Sequence, residues 1–213
     1  KWFGITDINS LEILLPIHIL WINLVTDSLP ALALAFDPAN SDIMERKPVK
    51  PGKGVFTKGM TWRVIYQGIM IGGLTLAAFI IGIATPEENL PTMVKIDGTL
   101  YGVEEVENLD EALANGAEYV EKQEVKVEIG QTMAFMVLAF SELVHVFNIR
   151  NNKKSVFKTH PFNNKMLLLA IGASAALMLI ILLVPALRHI FSIPILPMGN
   201  LIETILLIIA PLV

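Results

Sequence analysis

Asn23-Leu24-Val25-Thr26-Asp27-Ser28-Leu29-Pro30 sets hard oxygen ligands in the middle of an apolar run that extends from about Leu14 to Phe36. A run of that length crosses a bilayer, which takes roughly 20 residues. Asn23, Thr26 and Asp27 stand at i, i+3 and i+4, so a helix presents all three on one face. A carboxylate near the bilayer midplane costs at least about 2.5 kcal/mol, and by default it marks an ion or proton pathway. Pro30 withdraws one backbone donor and clashes with the preceding turn, which loosens the helix and frees carbonyl oxygens as further ligands. Carboxylate, amide carbonyl and hydroxyl oxygens together suit a hard cation such as calcium better than a soft metal. The plainer use of such residues is to pair with a neighbouring helix and hold a bundle together.

Composition agrees with a protein that lives in a bilayer. Hydrophobic residues make up 54% of the chain and the mean hydropathy is +0.60, against about 45–50% apolar residues in a typical soluble domain. Apolar stretches recur at 14–36, 64–84, 131–149, 166–187 and 196–213, more than one soluble core of this size would hold. The expected fold class is therefore all-α, a polytopic transmembrane helix bundle of about five spans with the lipid bilayer as its surroundings and no nucleic-acid partner. The second and fourth stretches carry no charged residue; the first, third and fifth carry Asp27, Glu142 and Glu203. Cysteine is absent, which excludes disulfides and thiolate metal ligation.

The connections set the orientation. Residues 37–63 contain Arg46, Lys47, Lys50, Lys53, Lys58 and Arg63 against Asp37, Asp42 and Glu45. Residues 150–165 contain Arg150, Lys153, Lys154, Lys158 and Lys165 and no acid, whereas 85–130 holds 12 acidic residues and 3 lysines. An excess of Lys and Arg in short loops marks the cytoplasmic side. The two basic connections are thus expected in the cytoplasm, and 1–13, 85–130 and 188–195 outside, with the N-terminus outside and the C-terminus cytoplasmic. Within the acidic connection, Val103 to Ala114 reads as an acidic helix, and the alternation of Val125, Val127 and Ile129 reads as a short strand. Its charge is read as a solvated surface.

Among the remaining residues, Glu142 lies in the middle of the third stretch, either as an ion ligand or as a buried carboxylic acid hydrogen-bonded to a neighbouring helix. His145, one turn further along the same face, reads as a structural partner or proton carrier, and His18 and Glu203 read as interfacial. Pro16 and Pro185 are expected to shape helix ends. Gly68 and Gly72 form a small-xxx-small pattern that lets another helix approach.

The stretch LWINLVTDSLPALALAFDPANSDIMERKP (20–48) resembles the sixth membrane helix and following cytosolic loop of P-type calcium-transporting ATPases, of the sarco/endoplasmic-reticulum type and its bacterial relatives. QTMAFMVLAFSELVHVFN (131–148) resembles the eighth helix of that family, and weaker motifs continue to Val213, so the resemblance covers almost the whole chain. It implies that the chain is a C-terminal membrane portion, beginning before the sixth helix and clipped inside the tenth, of a pump in a bacterial plasma membrane. The DKTG motif of the phosphorylated aspartate does not occur here, nor does a glycine-rich phosphate loop. No catalytic residue is therefore assigned, and the portion alone is expected to be inactive.

What the resemblance implies for the ion site follows residue by residue. Asn23, Thr26 and Asp27 become calcium ligands, Asp27 central among them, and Glu142 aligns with the eighth-helix glutamate that helps bind calcium in the reticulum-type pumps. Calcium is then the transported ion. Mg2+ and ATP act on the intact parent outside this portion, and further ligands come from the missing fourth and fifth helices. The phosphorylation domain belongs to that missing N-terminal part as well, and the segment from Pro38 to Lys58 resembles the one that touches it. Sodium/potassium pumps carry an aspartate where this chain has Asn23, and plasma-membrane and secretory-pathway calcium pumps usually have methionine at the position of Thr26. The chain departs from the animal reticulum motif at Ser28, where glycine is common.

Two other classes compete. A proton-coupled secondary cation transporter would use Asp27 and Glu142 as a titrating pair and show internal repeats, but no second Asn-x-x-Thr-Asp occurs. A non-transporting structural membrane module needs no ion ligands at all.

Overall fold

The computed structural model describes residues 12–36, 58–149 and 164–212. The basic stretches 37–57 and 150–163, with the segment expected to touch a phosphorylation domain, lie outside the described residues. Pro16 opens the first helix at its N1 position, where a missing N–H costs nothing. α1 (Pro16–Trp21) runs into a π-helical turn (Ile22–Asp27) and then α2 (Ser28–Leu34), so one continuous rod carries the ligand motif. α3 (Lys58–Ile83) and α5 (Lys122–Ile149) are the two longest helices. α6 (Lys165–Leu183) starts on Asn164, whose Oδ1 accepts from the Leu167 N–H at 2.9 Å and whose amide donates to the Ala33 carbonyl at 3.3 Å. That cap ties the start of α6 to the end of α2.

Among the described residues, four stretches are long and apolar enough to cross a membrane: Pro16–Leu34, Gly59–Ile83, Lys122–Phe147 and Lys165–Leu183. The all-α membrane bundle is borne out, with differences in the extent of individual helices. Val184 adopts an extended conformation because Pro185 follows it. The fourth span therefore stops at Leu183, and α7 (Pro185–Ile190) restarts as a separate turn. α8 (Met198–Ile209) is apolar but has 12 residues, or about 18 Å at 1.5 Å per residue, short of a roughly 30 Å hydrocarbon core.

The third span begins nine residues before the expected 131. Val125, Val127 and Ile129 are helical, and what governs them is the i, i+4 series Val125, Ile129, Met133, Val137, all buried in one cluster with Ala78 and Met93. Val127 lies off that stripe and is only half-buried, so the period-two alternation is coincidental. α5 is the central helix, packed against α3, α8 and the π-helical turn. Its approach to α3 is backbone on backbone. A Cβ placed on Gly82 would lie 2.4 Å from the Gly130 Cα, and one on Gly130 would lie 2.8 Å from the Phe79 carbonyl. Gly68 and Gly72, expected to serve that purpose, have nothing within 4 Å of such a Cβ.

The acidic connection is more ordered than a solvated loop. β1 (Met93–Ile96) and β2 (Thr99–Gly102) form a hairpin through Asp97-Gly98, both at positive φ, the signature of a two-residue turn whose twist suits paired strands. β3 (Glu118–Tyr119) adds to the other edge of β1. The expected acidic helix is confined to α4 (Leu109–Ala114), with a 3-10 turn at Val103–Glu105. Met93 and Val94, on opposite faces of β1, are both buried, which is why the segment folds despite its charge.

Glu105 fastens this subdomain to α7. Its carboxylate pairs with the Arg188 guanidinium, accepts from the Gly102 N–H at 3.2 Å and lies 3.5 Å from His189 Nε2, whose ring meets Tyr101 at a tilt of 59°. Burial alone would push the Glu105 carboxyl up, but the Gly102 amide, Arg188 and His189 together outweigh it and hold it below the ordinary glutamate value. A carboxyl depressed in the folded state stabilises above its unfolded value, and that contribution disappears as pH falls through the folded one. The difference in melting temperature between the parent and Glu105→Gln should thus be full at neutral pH and shrink below about pH 4. A difference that stays constant down to pH 3 would show that Glu105 does not hold this clamp through its charge.

Candidate ion-binding site

Pro30 shapes the turn that carries the motif. Having no N–H, it can donate neither to the carbonyl four residues back, on Thr26, nor to the one five back, on Val25. The chain answers with the wider π turn at Ile22–Asp27, a feature that recurs at functional sites in helices. Two loosened carbonyls are taken by hydroxyls: Ser28 Oγ donates to Asn23 O at 2.7 Å, and Ser174 Oγ from α6 donates to Val25 O at 2.7 Å. Ser28, where this chain departs from the motif it resembles, thus closes the turn on itself.

The π turn also splits the expected single face. A wider turn keeps i and i+4 nearly in line and swings i+3 away from them. Asn23 and Asp27 are accordingly exposed, while Thr26 is 1% exposed and points at α5. There its Oγ1 lies 2.8 Å from the Ile22 carbonyl and 3.0 Å from Glu142 Oε2. One hydroxyl proton serves one of those acceptors at a time, so Thr26 can release Glu142 without moving. The Asp27 and Glu142 carboxyl groups also lie close enough to interact with each other.

The structure therefore brings together Thr26, Asp27 and Glu142 across 116 residues of chain, with Asn23 one turn along on the open side. Two neighbouring carboxyl groups favour a shared proton, or a cation in its place. The arrangement can exchange one for the other. Among the described residues no group of three or more His, Cys, Asp or Glu side chains gathers at one point. Two carboxyl groups and a hydroxyl meet here, oxygen chemistry of the kind that suits a hard cation better than a soft one.

One neighbour went unread in the sequence and another lies elsewhere than expected. Ser174 is fully buried and completes the π turn from α6; its signal was a hydroxyl in a charge-free span. His18, expected at the interface, is 0% exposed. It is buried because Phe135 of α5 and Phe191, just after α7, cover its ring. His145 is also buried, on the α5 face beyond Glu142.

Fold and site together define a helical membrane bundle that carries a carboxyl pair beside a proline-loosened turn. The chain belongs to the family described as "Cation transporting ATPase, C-terminus", whose model matches residues 11–213. It is 37% identical over 204 residues to calcium-transporting ATPase 1 of Bacillus cereus, a match covering 93% of this chain and 20% of that protein. It is 36% identical over 178 residues to the calcium-transporting ATPase of Bacillus subtilis, covering 84% of this chain and 16% of that one. A third relative, the endoplasmic reticulum-type calcium-transporting ATPase 2 of Arabidopsis thaliana, is 27% identical over 205 residues, with 85% and 19% covered. The chain spans a fifth or less of the length of these relatives.

Proposed function

We propose that this chain is the C-terminal membrane part of an ATP-driven calcium-exporting pump and contributes Asn23, Thr26, Asp27 and Glu142 to the transported ion's site. The observation that carries the reading is the meeting of Asp27, Thr26 and Glu142 at the π turn. Calcium takes six to eight oxygens, more than this oxygen cluster offers without neighbours. The remaining ligands, with the phosphorylation and nucleotide domains that use Mg2+ and ATP, belong to the rest of the parent protein. The similarity to Bacillus pumps and the basic connections at 37–63 and 150–165 support a bacterial plasma membrane with the C-terminus cytoplasmic.

In this reading calcium enters from the cytoplasm and displaces the proton held between Asp27 and Glu142, while the Thr26 hydroxyl turns from Glu142 to the Ile22 carbonyl. Occupancy changes the charge of the π turn, and the rod that contains it carries the change to the cytoplasmic end. Outward release is followed by reprotonation of both carboxylates. The test is ATP-driven uptake of radioactive calcium into inverted vesicles containing the intact parent, with and without an uncoupler. Uptake that needs ATP and survives the uncoupler is expected. Uptake that ignores ATP and collapses with the uncoupler would assign the carboxylate pair to a proton-coupled exchanger instead.

A further inference from the structure

Thr26, Thr75 and Thr204 each turn their hydroxyl back on their own helix. Each donates to the carbonyl four residues before it, at 2.8, 2.9 and 2.7 Å, a local bond open to any Ser or Thr in a helix. Ser174 does otherwise. It is the only hydroxyl in α6 and is fully buried, and its Oγ donates at 2.7 Å to the Val25 carbonyl in the first rod. What Val25 lacks is a donor of its own. In the five-residue register of the π turn its partner would be the N–H of residue 30, and residue 30 is proline. Val25 is also buried, and a buried carbonyl left without a donor is costly. The Ser174 hydroxyl stands in for the missing N–H.

α6 runs antiparallel to the first rod and meets it with polar groups at three levels. Asn164 donates to the Ala33 carbonyl at 3.3 Å, Ser174 to Val25, and Trp21 Nε1 to Met178 Sδ at 3.2 Å. Ala33, Leu167 and Ala170 pack together near the first of them. Only the middle contact falls on the π turn. One residue further along that turn, Thr26 reaches Glu142 on α5. The turn is thus held from α6 through a backbone carbonyl and from α5 through a side chain, while Asn23 and Asp27 stay exposed. Val25 and Thr26 are neighbours in one turn, so a rotation that releases Val25 from Ser174 also moves Thr26 relative to Glu142.

We infer that Ser174 is a positioning residue of the ion site: its hydroxyl fixes the rotation of the π turn, and with it the placement of Asn23, Thr26 and Asp27. This deepens the pump reading and rests on it. Ser174 touches none of those three side chains through the bond it makes; it acts on them through the Val25 main chain. While Ser174 engages the Val25 carbonyl, that oxygen points to α6 and is kept from the ion. Without the hydroxyl the carbonyl finds a new donor, or a cation, only by turning, and the ligands beside it turn as well. Binding groups must be held to within about 0.5 Å of their working geometry. Loss of a group that orients metal ligands typically lowers metal affinity by about 10–100-fold.

The test is phosphorylation of the intact pump from labelled ATP across a calcium titration, with thermal denaturation of the same preparations in detergent. Ser174→Ala should raise the calcium concentration for half-maximal phosphorylation roughly tenfold, while the level reached at saturating calcium stays that of the wild type per folded pump. A residue that only holds α6 in place would lower the amount of folded pump and leave the midpoint alone. Asn164→Ala supplies that comparison. It breaks another bond from α6 to the rod, together with the cap of α6, and should lower the melting temperature without moving the calcium midpoint. A wild-type midpoint in Ser174→Ala, or an equal shift in both variants, would overturn the inference and leave Ser174 as a packing residue. If Ser174→Ala is not phosphorylated at any calcium concentration, Ser174→Cys decides, because its thiol is similar in size and a weak donor. A smaller shift in the same direction is then expected, and a wild-type midpoint overturns the inference. A wild-type pump that shows no calcium-dependent phosphorylation at all overturns the pump reading itself, and this inference with it.

Discussion

Asp27→Asn is expected to abolish calcium-dependent phosphorylation of the intact pump at calcium concentrations that saturate the wild type. Asparagine keeps the size of the side chain and one carbonyl oxygen, but it removes the charge and the oxygen that meets Glu142. Asp27 is exposed on this part of the pump; where the rest of the parent closes over the bound ion, removing one charged ligand costs about 2–5 kcal/mol or more. At 1.4 kcal/mol per factor of ten, that is a loss of at least roughly 30-fold in affinity. Glu142→Gln should cost less, because glutamine still accepts from Thr26 Oγ1 at the same place. The measurement is phosphorylation from labelled ATP across a calcium titration of wild type and both variants. Half-maximal activation of Asp27→Asn at the wild-type concentration would remove Asp27 from the site.

Gly82→Val is expected to be the most damaging substitution away from the ion site. Both faces of the contact are main chain. The new Cβ would lie 2.4 Å from the Gly130 Cα and 2.6 Å from its nitrogen, so no change of rotamer relieves it and α3 must move off α5. Overpacking of this kind costs about 1–3 kcal/mol, occasionally more, and a protein of this size loses roughly 2–4 °C of melting temperature for each kcal/mol. Because α5 carries Glu142 toward Thr26, calcium activation should weaken together with stability. Gly72→Val is the control: its Cβ meets nothing within 4 Å, and replacing glycine inside a helix favours the helix by up to about 1 kcal/mol. Thermal denaturation of the purified protein in detergent compares them. Equal melting temperatures for the two variants would rule out a tight α3–α5 crossing at Gly82.

Hydropathy alone was enough to read a helical membrane bundle, because a bilayer forces every spanning backbone into helices or closed barrels and filters side chains by transfer energy. Oxygen chemistry in the run around Asp27 was likewise legible, since a carboxylate in that position needs a functional reason. Pro16 and Pro185 act on their own backbones, so both helix ends were readable from local rules. The Asp97-Gly98 hairpin carried an equally local signal beneath the acidity of its surroundings.

Other features depended on what lies across the fold. Gly68 and Gly72 have the spacing of a packing motif, yet the close approach falls at Gly82 and Gly130, because contact is decided by where a second helix passes. Residues 125–129 satisfied two periodicities at once, and burial against Ala78 and Met93 chose the helical one. That Thr26 turns away from Asn23 follows from a π turn whose loosened Val25 carbonyl is satisfied by Ser174, a residue 149 positions away. His18 reads as interfacial until the turn after α7 folds over it and fixes its tautomer through Phe191. The sequence by itself determined the medium, the helices and the kind of atoms offered to an ion, since these follow from solvation and local backbone chemistry. Only the tertiary structure decided which of those atoms meet, because contacts between helices far apart in the chain are set by packing.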